Sequence, residues 1–304
     1  MRRRECSLLP HIRTDLYGFN SQSMQLIPWA LKEFKVQKAW GYSEGEDVVV
    51  GVIDTGCDMH HDDIKDNLLP GRNIVDDNNN PQDDNGHGTH VAGTVAAINN
   101  GYGVVGVAPK TKILPVKVLG SDGTGSMLDV ANGIRWAVDH GAEILTMSLG
   151  SPAASRLVEK AIEYANNNNV TVFCAAGNSG NHVDVMYPAK FIKTISIGAI
   201  SRNLSISNFS CTGNSIDFVA PGEDIVSCVP GNGYASMSGT SMATPYAVGC
   251  AALLLSLSKS RSANPSIDKN YYINQFKKNT KPINGKHSGD KRYQGYGIIR
   301  PIYY

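Results

Sequence analysis

The sequence predicts an α/β fold in three layers, a mostly parallel central sheet flanked by helices. Five short, nearly continuous apolar runs recur at residues 48–53, 113–119, 144–149, 170–176 and 194–199, the pattern of strands buried on both faces. Helix-like stretches at 90–98, 127–140 and 156–166 separate them, and strand alternating with helix implies right-handed crossovers. With 304 residues and 41% apolar content, the chain can bury one large core. No internal repeat or clear linker divides it, so one domain over residues 24–304 is expected, preceded by a short extension over 1–23.

The extension opens with Met1-Arg2-Arg3-Arg4, but only Leu8-Leu9 follows as an apolar run before Pro10, His11 and Arg13 intervene. That is no secretory core. The longest apolar stretch, 248–257, falls short of the roughly 20 residues that span a bilayer, so no membrane partner is expected. Lys plus Arg (28) nearly balances Asp plus Glu (27), and no strong field recruits nucleic acid. Six cysteines, Cys6, Cys57, Cys174, Cys211, Cys228 and Cys250, sit largely in apolar segments where a free thiol packs well. Free thiols and a reducing compartment are expected. Residues 76–80 and 166–169 read as polar loops, and the tail from Ser258 is the most polar region.

In open parallel sheets the ligand site lies beyond the carboxyl ends of the strands. Asp54 follows the first run, Ser148-Leu149-Gly150 closes the third, and Asn178 follows the fourth. Each lies where a site belongs. Asp54-Thr55-Gly56, then Asn85-Gly86-His87-Gly88-Thr89-His90, then Gly239-Thr240-Ser241-Met242-Ala243-Thr244-Pro245 present an acid, a base and a nucleophile in glycine-bearing turns. A serine hydroxyl needs a base within reach to take its proton, and an imidazole needs a carboxylate to hold its tautomer. Ser241 precedes an apolar segment over 247–257 that reads as a core helix; Pro245 fits its first turn, where a missing N–H costs nothing. His90 is expected to pack within its helix, and the remaining histidines to be surface residues. Taken singly, each motif is equally compatible with a strand-ending turn, a loop or a helix cap.

Together, in this order, the three motifs resemble the subtilisin family of serine peptidases, whose triad runs Asp, His, Ser. The resemblance covers residues 25–299 and implies a subtilisin-like three-layer fold and a serine endopeptidase acting through an acyl-enzyme. It implies Asp54, His87 and Ser241 as the triad, with the amide of Asn178 in Ala175-Ala176-Gly177-Asn178 stabilising the oxyanion. The substrate is then an extended polypeptide added as a strand between Gly123 and Gly125 on one side and Ser148, Leu149 and Gly150 on the other. Ala175, Gly177 and Met186 border the main specificity pocket, which Met186 makes shallow. The family's Ca²⁺ site maps onto Gln25, Asp63, Asn100 and the carbonyls of Ile98, Tyr102 and Val104, an oxygen set suited to that ion.

The chain resembles most the bacterial intracellular branch, through Asp54-Thr55-Gly56-Cys57-Asp58 and through Leu26-Ile27-Pro28-Trp29, similar to that branch's inhibitory Leu-Ile-Pro-Tyr. Yet Pro28 lies twelve residues before Trp40, the spacing of a mature N-terminus, so 26–29 reads equally as body. Asp62 and Tyr246 replace a usual Pro and His. A cytoplasmic protease of protein turnover is expected, or a secreted type whose leader lies outside this sequence. Dedicated processing of a leader peptide, or peptide binding without cutting, are the other readings. Oligomeric state is open. A carboxylester hydrolase is disfavoured because Gly239-Thr240-Ser241-Met242-Ala243 lacks the Gly-x-Ser-x-Gly elbow.

Overall fold

The computed structural model describes residues 5–16, 24–261 and 267–302; the arginine-rich start and part of the polar tail lie outside the described residues. Among these, thirteen strands follow in order: β1 (Glu5–Leu8), β2 (Ile12–Asp15), β3 (Val49–Asp54), β4 (Arg72–Asn73), β5 (Lys112–Lys117), β6 (Thr124–Ser126), β7 (Ile144–Met147), β8 (Leu149–Gly150), β9 (Thr171–Ala175), β10 (Thr194–Ile200), β11 (Phe218–Pro221), β12 (Ile225–Val229) and β13 (Gly233–Ser238). The helices are α1 (Trp29–Glu33), α2 (His87–Ala96), α3 (Met127–Asp139), α4 (Arg156–Asn167), α5 (Thr240–Arg261), α6 (Lys269–Lys277) and α7 (Lys291–Gln294).

Seven strands form one parallel sheet in the order β11-β10-β9-β7-β3-β5-β4. Every residue of β7, β9 and β10 is buried, which is why their sequences read as unbroken apolar runs. Helices α2 and α5 pack on each other and on the sheet, while α3 and α4 pack together against β3, β5 and β9. The expected three layers are therefore present.

Two expectations are corrected in detail. The run 144–149 breaks at Ser148: β7 stays in the parallel sheet and β8 leaves it for a small antiparallel sheet, β6-β1-β8. Helix α5 begins at Thr240, close to Ser241 as expected. By length and composition α5 could cross a membrane, but its apolar window is wholly buried inside the fold. Pro245 is consequently its sixth residue and lies in the second turn. All six cysteines are buried free thiols.

Residues 26–29 belong to the body. Leu26 bridges Val104, and Trp29 opens α1 and donates from Nε1 to the Glu223 carbonyl at 2.8 Å. Their likeness to an inhibitory motif is one of sequence only. A different stretch crosses the sheet ends: β1 lies between β6 and β8, and β2 adds to β13 in a second small sheet, β12-β13-β2.

Candidate active site

Asp54 is the last residue of β3 and is 1% exposed. The turn after it is held by Asp83, a buried carboxylate that accepts from Thr55 Oγ1 (2.9 Å), the N–H groups of Asn85, Gly86 and Thr89 (3.0, 2.9 and 2.9 Å) and Thr89 Oγ1 (2.6 Å). Asp83 thus ties the end of β3 to the N-terminus of α2, where negative charge is favoured. Gly88 permits the contact: a Cβ there would meet the Gly56 carbonyl oxygen at 2.1 Å. His87, the first residue of α2, is carried against Asp54, and its Nδ1 donates to Asp54 Oδ1 at 2.8 Å. That bond fixes the tautomer and leaves Nε2 as the base.

Ser241 lies in the first turn of α5, where its N–H has no intrahelical acceptor. Its hydroxyl donates to the Ser148 carbonyl at 3.2 Å, while Ser148 Oγ donates to the Ser241 carbonyl at 3.0 Å. The second bond answers Pro245, which lacks the N–H that would normally satisfy Ser241 O. His87 Nε2 is buried with no partner among the described residues, and the Ser241 hydroxyl is directed to the Ser148 carbonyl.

Asn178 Oδ1 accepts from Thr240 N (2.9 Å) and Thr240 Oγ1 (2.7 Å). Its Nδ2 is thereby aimed outward, and it donates to the Pro10 carbonyl at 2.7 Å. Asp54 and His87 are in contact, and Asn178 bonds Thr240, the neighbour of Ser241; Asp83, Thr240 and the Ser148 hydroxyl were missed. Asp83 did carry a signal, an Asp four residues before the His at a helix start.

The segment 5–15 runs through the site as a strand. Cys6 and Ser7 pair with Gly125 and Thr124, and Ser7 and Leu8 pair with Gly150 and Leu149. Leu8 N donates to the Gly123 carbonyl at 2.8 Å. Gly123, Gly125, Leu149 and Gly150 therefore flank an extended peptide. Leu9 is 2% exposed and packs so closely on Gly150 that a Cβ there would lie 2.6 Å from Leu9 Cδ2. Met186 packs against Gly150 and Gly177, and Ala175, the last residue of β9, leads into that wall. Beyond Pro10, the His11 ring lies 5.1 Å from that of His87, and its Nδ1 donates to the Leu9 carbonyl at 3.2 Å. Burial, then the neighbouring His87, lowers the His11 pKa.

His90 packs as expected: Nε2 faces the carbonyls of Ile225 and Ala235 at 2.9 and 3.3 Å, and burial lowers its pKa to about 3. His61 corrects the surface expectation. It is fully buried, with Nε2 on the Gly233 carbonyl at 3.0 Å.

Of the expected calcium ligands, Gln25, Asp63, Asn100, Ile98 and Val104 lie in contact with one another. Gln25 Nε2 lies among Ile98 O (2.8 Å), Val104 O (3.2 Å) and Asn100 Oδ1 (3.4 Å). Asn100 Nδ2 donates to Asp63 Oδ1, and Val104 N and Tyr234 Oη donate to Asp63 Oδ2. Oxygens converging on one amide donor fit a hard cation once the Gln25 amide is reversed. Asp63 is the one carboxylate of the set; Tyr102 meets the set through its N–H, which donates to Asn100 Oδ1 at 3.1 Å, and not through the carbonyl that was expected as a ligand. No group of three His, Cys, Asp or Glu among the described residues could hold a metal.

Comparison with known proteins agrees with this geometry. Residues 45–297 match the subtilase family. The chain is 39% identical over 286 residues to an intracellular serine protease of Paenibacillus polymyxa, covering 91% of this chain and 86% of that protein. It is 41% identical over 257 residues to subtilisin BL of Lederbergia lenta (84% and 91%) and 38% identical over 280 residues to subtilisin DY of Bacillus licheniformis (90% and 97%).

Proposed function

The chain belongs to the subtilase family and is a subtilisin-like serine endopeptidase, and from that premise we propose that Ser241 is its nucleophile and residues 5–15 its built-in inhibitor. One observation carries the reading: the Asn178 amide rests at 2.7 Å on the carbonyl of a peptide strand lying in the groove. In a substrate, Ser241 Oγ attacks the carbonyl held by Asn178 and the Ser241 N–H, and His87 Nε2 takes the proton. Asp54 stabilises the imidazolium, and His87 then protonates the leaving amine. Water, activated by the same His87, resolves the acyl-enzyme.

The strand in the groove is out of step with cleavage. Leu9 seats against Gly150, yet its carbonyl accepts from His11 and the next carbonyl, of Pro10, takes the Asn178 amide. The bond after Leu9 also has a proline nitrogen as its leaving group. Residues 5–15 therefore hold the groove without presenting the Leu9 carbonyl to the oxyanion donors.

We assign Ca²⁺ to Gln25, Asp63, Asn100 and the carbonyls of Ile98, Tyr102 and Val104, where it would tie the segment before α1 to the loop after α2 and supply stability, not chemistry. Turnover of polypeptides inside the cell is the proposed role. The similarity to an intracellular protease and six buried free thiols support it. The test is cleavage of denatured casein by the protein beside Ser241→Ala. Loss of about 10⁶-fold, the scale known for subtilisin itself, supports the roles; equal rates would refute them.

A further inference from the structure

We propose that the outer edge of β13 is a docking rail for the downstream half of the substrate, reading about six residues beyond the cut through backbone bonds alone. The inference rests on the peptidase reading above and gives the edge that residues 12–16 cover a second role, toward the substrate.

The rail is visible because residues of this chain occupy it. After Pro10 at Asn178 and His11 at His87, the strand continues on the downstream side of the catalytic groups. Ile12, Arg13, Thr14 and Asp15 pair antiparallel with Ser238, Met237, Ser236 and Ala235. Leu16 N extends the ladder to the Tyr234 carbonyl at 3.0 Å. Antiparallel pairs alternate, so this bond sets the phase: Tyr234, Ser236 and Ser238 turn their N–H and C=O groups toward β2, and Ala235 and Met237 turn theirs toward β12.

Side chains contribute little to this contact beyond the Arg13 Nη1 bond to the Asn85 carbonyl at 3.4 Å. Ile12 is 67% exposed, and Arg13 and Thr14 are exposed as well. What holds the segment is a ladder that any non-proline sequence can make. Once residues 12–16 leave, β13 is an edge strand with three outward-facing residues, a standing template for an extended chain. The occupant is fixed by continuity: the polypeptide emerging from the catalytic residues is the substrate's own leaving portion. Counted from the residue whose carbonyl meets Asn178, the ladder covers the second to the sixth downstream residue. Unfolded protein supplies such a segment at any internal bond, whereas a bond near a carboxyl terminus does not.

The test is internal competition. The full chain is given a mixture of peptides identical up to the cut and carrying two, four or six residues after it. Because the peptides share one tube, their rate ratio is independent of the fraction of enzyme whose groove is open. The six-residue peptide should be cut about tenfold faster than the two-residue one, the worth of one to two net hydrogen bonds. N-methylation of the fourth downstream residue, the counterpart of Thr14 facing Ser236, should cancel that gain; at the third or fifth, whose amides face away, it should not. Ser236→Pro, tolerable on an edge strand, should flatten the length dependence, so that six- and two-residue peptides competing in one tube are cut within about twofold of each other. Equal rates across the series would overturn the proposal and make the edge a seat for residues 12–16 only. Cleavage of none of the peptides, by the parent chain or by a Leu9→Asp variant that loosens residues 5–15, would count against the peptidase reading itself.

Discussion

The side-chain amide of Asn178 donates to the carbonyl of Pro10 at 2.7 Å, one residue past the Leu9 that packs against Gly150. The donor proposed for the oxyanion is occupied by the carbonyl that follows the seated Leu9 and not by that of Leu9 itself. The groove and its occupant are thus one residue out of register, and the consequences can be measured.

Burial of Leu9 is the anchor of this arrangement. Leu9→Asp places a carboxylate against Gly150 and removes an apolar contact of the kind worth about 2 to 5 kcal/mol. The initial rate on a small fluorogenic peptide should rise at least about tenfold over the parent chain. An unchanged initial rate would mean that residues 5–15 do not limit access.

The hold of residues 5–15 should weaken in acid. The seated His11 has a lowered pKa, from burial and from facing His87, with Asp54 and Arg13 also acting on it. Released, it titrates near 6.5. Above that both forms are neutral and the seated form keeps its full advantage. As pH falls through about 6.5, the released form gains a proton that the seated form resists, so release is favoured. The ratio of initial to final rate should be higher at pH 5.5 than at pH 8, and His11→Phe should make it flat.

Replacing Asn178 by Ala should lower kcat about 10²- to 10³-fold with little change in KM, the scale known for subtilisin. Thr240 aims that amide through two bonds to Asn178 Oδ1. Thr240→Val keeps the backbone donor and loses the hydroxyl, so kcat should fall only about fivefold, one net hydrogen bond. A loss as large as that of Asn178→Ala would assign Thr240 a larger part than aiming.

Chelation should lower the thermal midpoint by several degrees, since a ion bound only by the native state at 100 times its Kd adds about 2.7 kcal/mol. Asp63→Asn should remove the response to EDTA. An EDTA-insensitive midpoint in the parent would withdraw the Ca²⁺ assignment.

What the sequence revealed follows from where each signal resides. β3, β5, β7, β9 and β10 were legible because strands buried on both faces leave a continuous apolar trace. Asp54, His87, Asn178 and Ser241 were legible because each sits in a short turn of restricted composition. Residues 5–15 were not: the alternation in Glu5-Cys6-Ser7-Leu8 spans only four residues, too few to mark a strand, and its order comes from backbone pairing with β6 and β8. Likewise β13, Gly-Tyr-Ala-Ser-Met-Ser, is fixed by its neighbours and not by a pattern of its own. Asp83 was passed over because its partners, Thr55 and Thr89, lie on separate elements that only folding brings together.

The reciprocal pair between Ser148 and Ser241 gives a last test, because its cause is local. Pro245 removes the N–H that would bond Ser241 O, and Ser148 Oγ fills the gap at 3.0 Å. Ser148→Ala leaves that buried carbonyl unsatisfied at a cost of about 1 to 3 kcal/mol, seen as a lower denaturation midpoint. Pro245→Ala restores a backbone donor to the same oxygen, so in that background Ser148→Ala should cost at least about 1 kcal/mol less. Measured as a double-mutant cycle by urea unfolding, a coupling near zero would show that Ser148 acts on Ser241 by packing and not as a substitute for the missing amide.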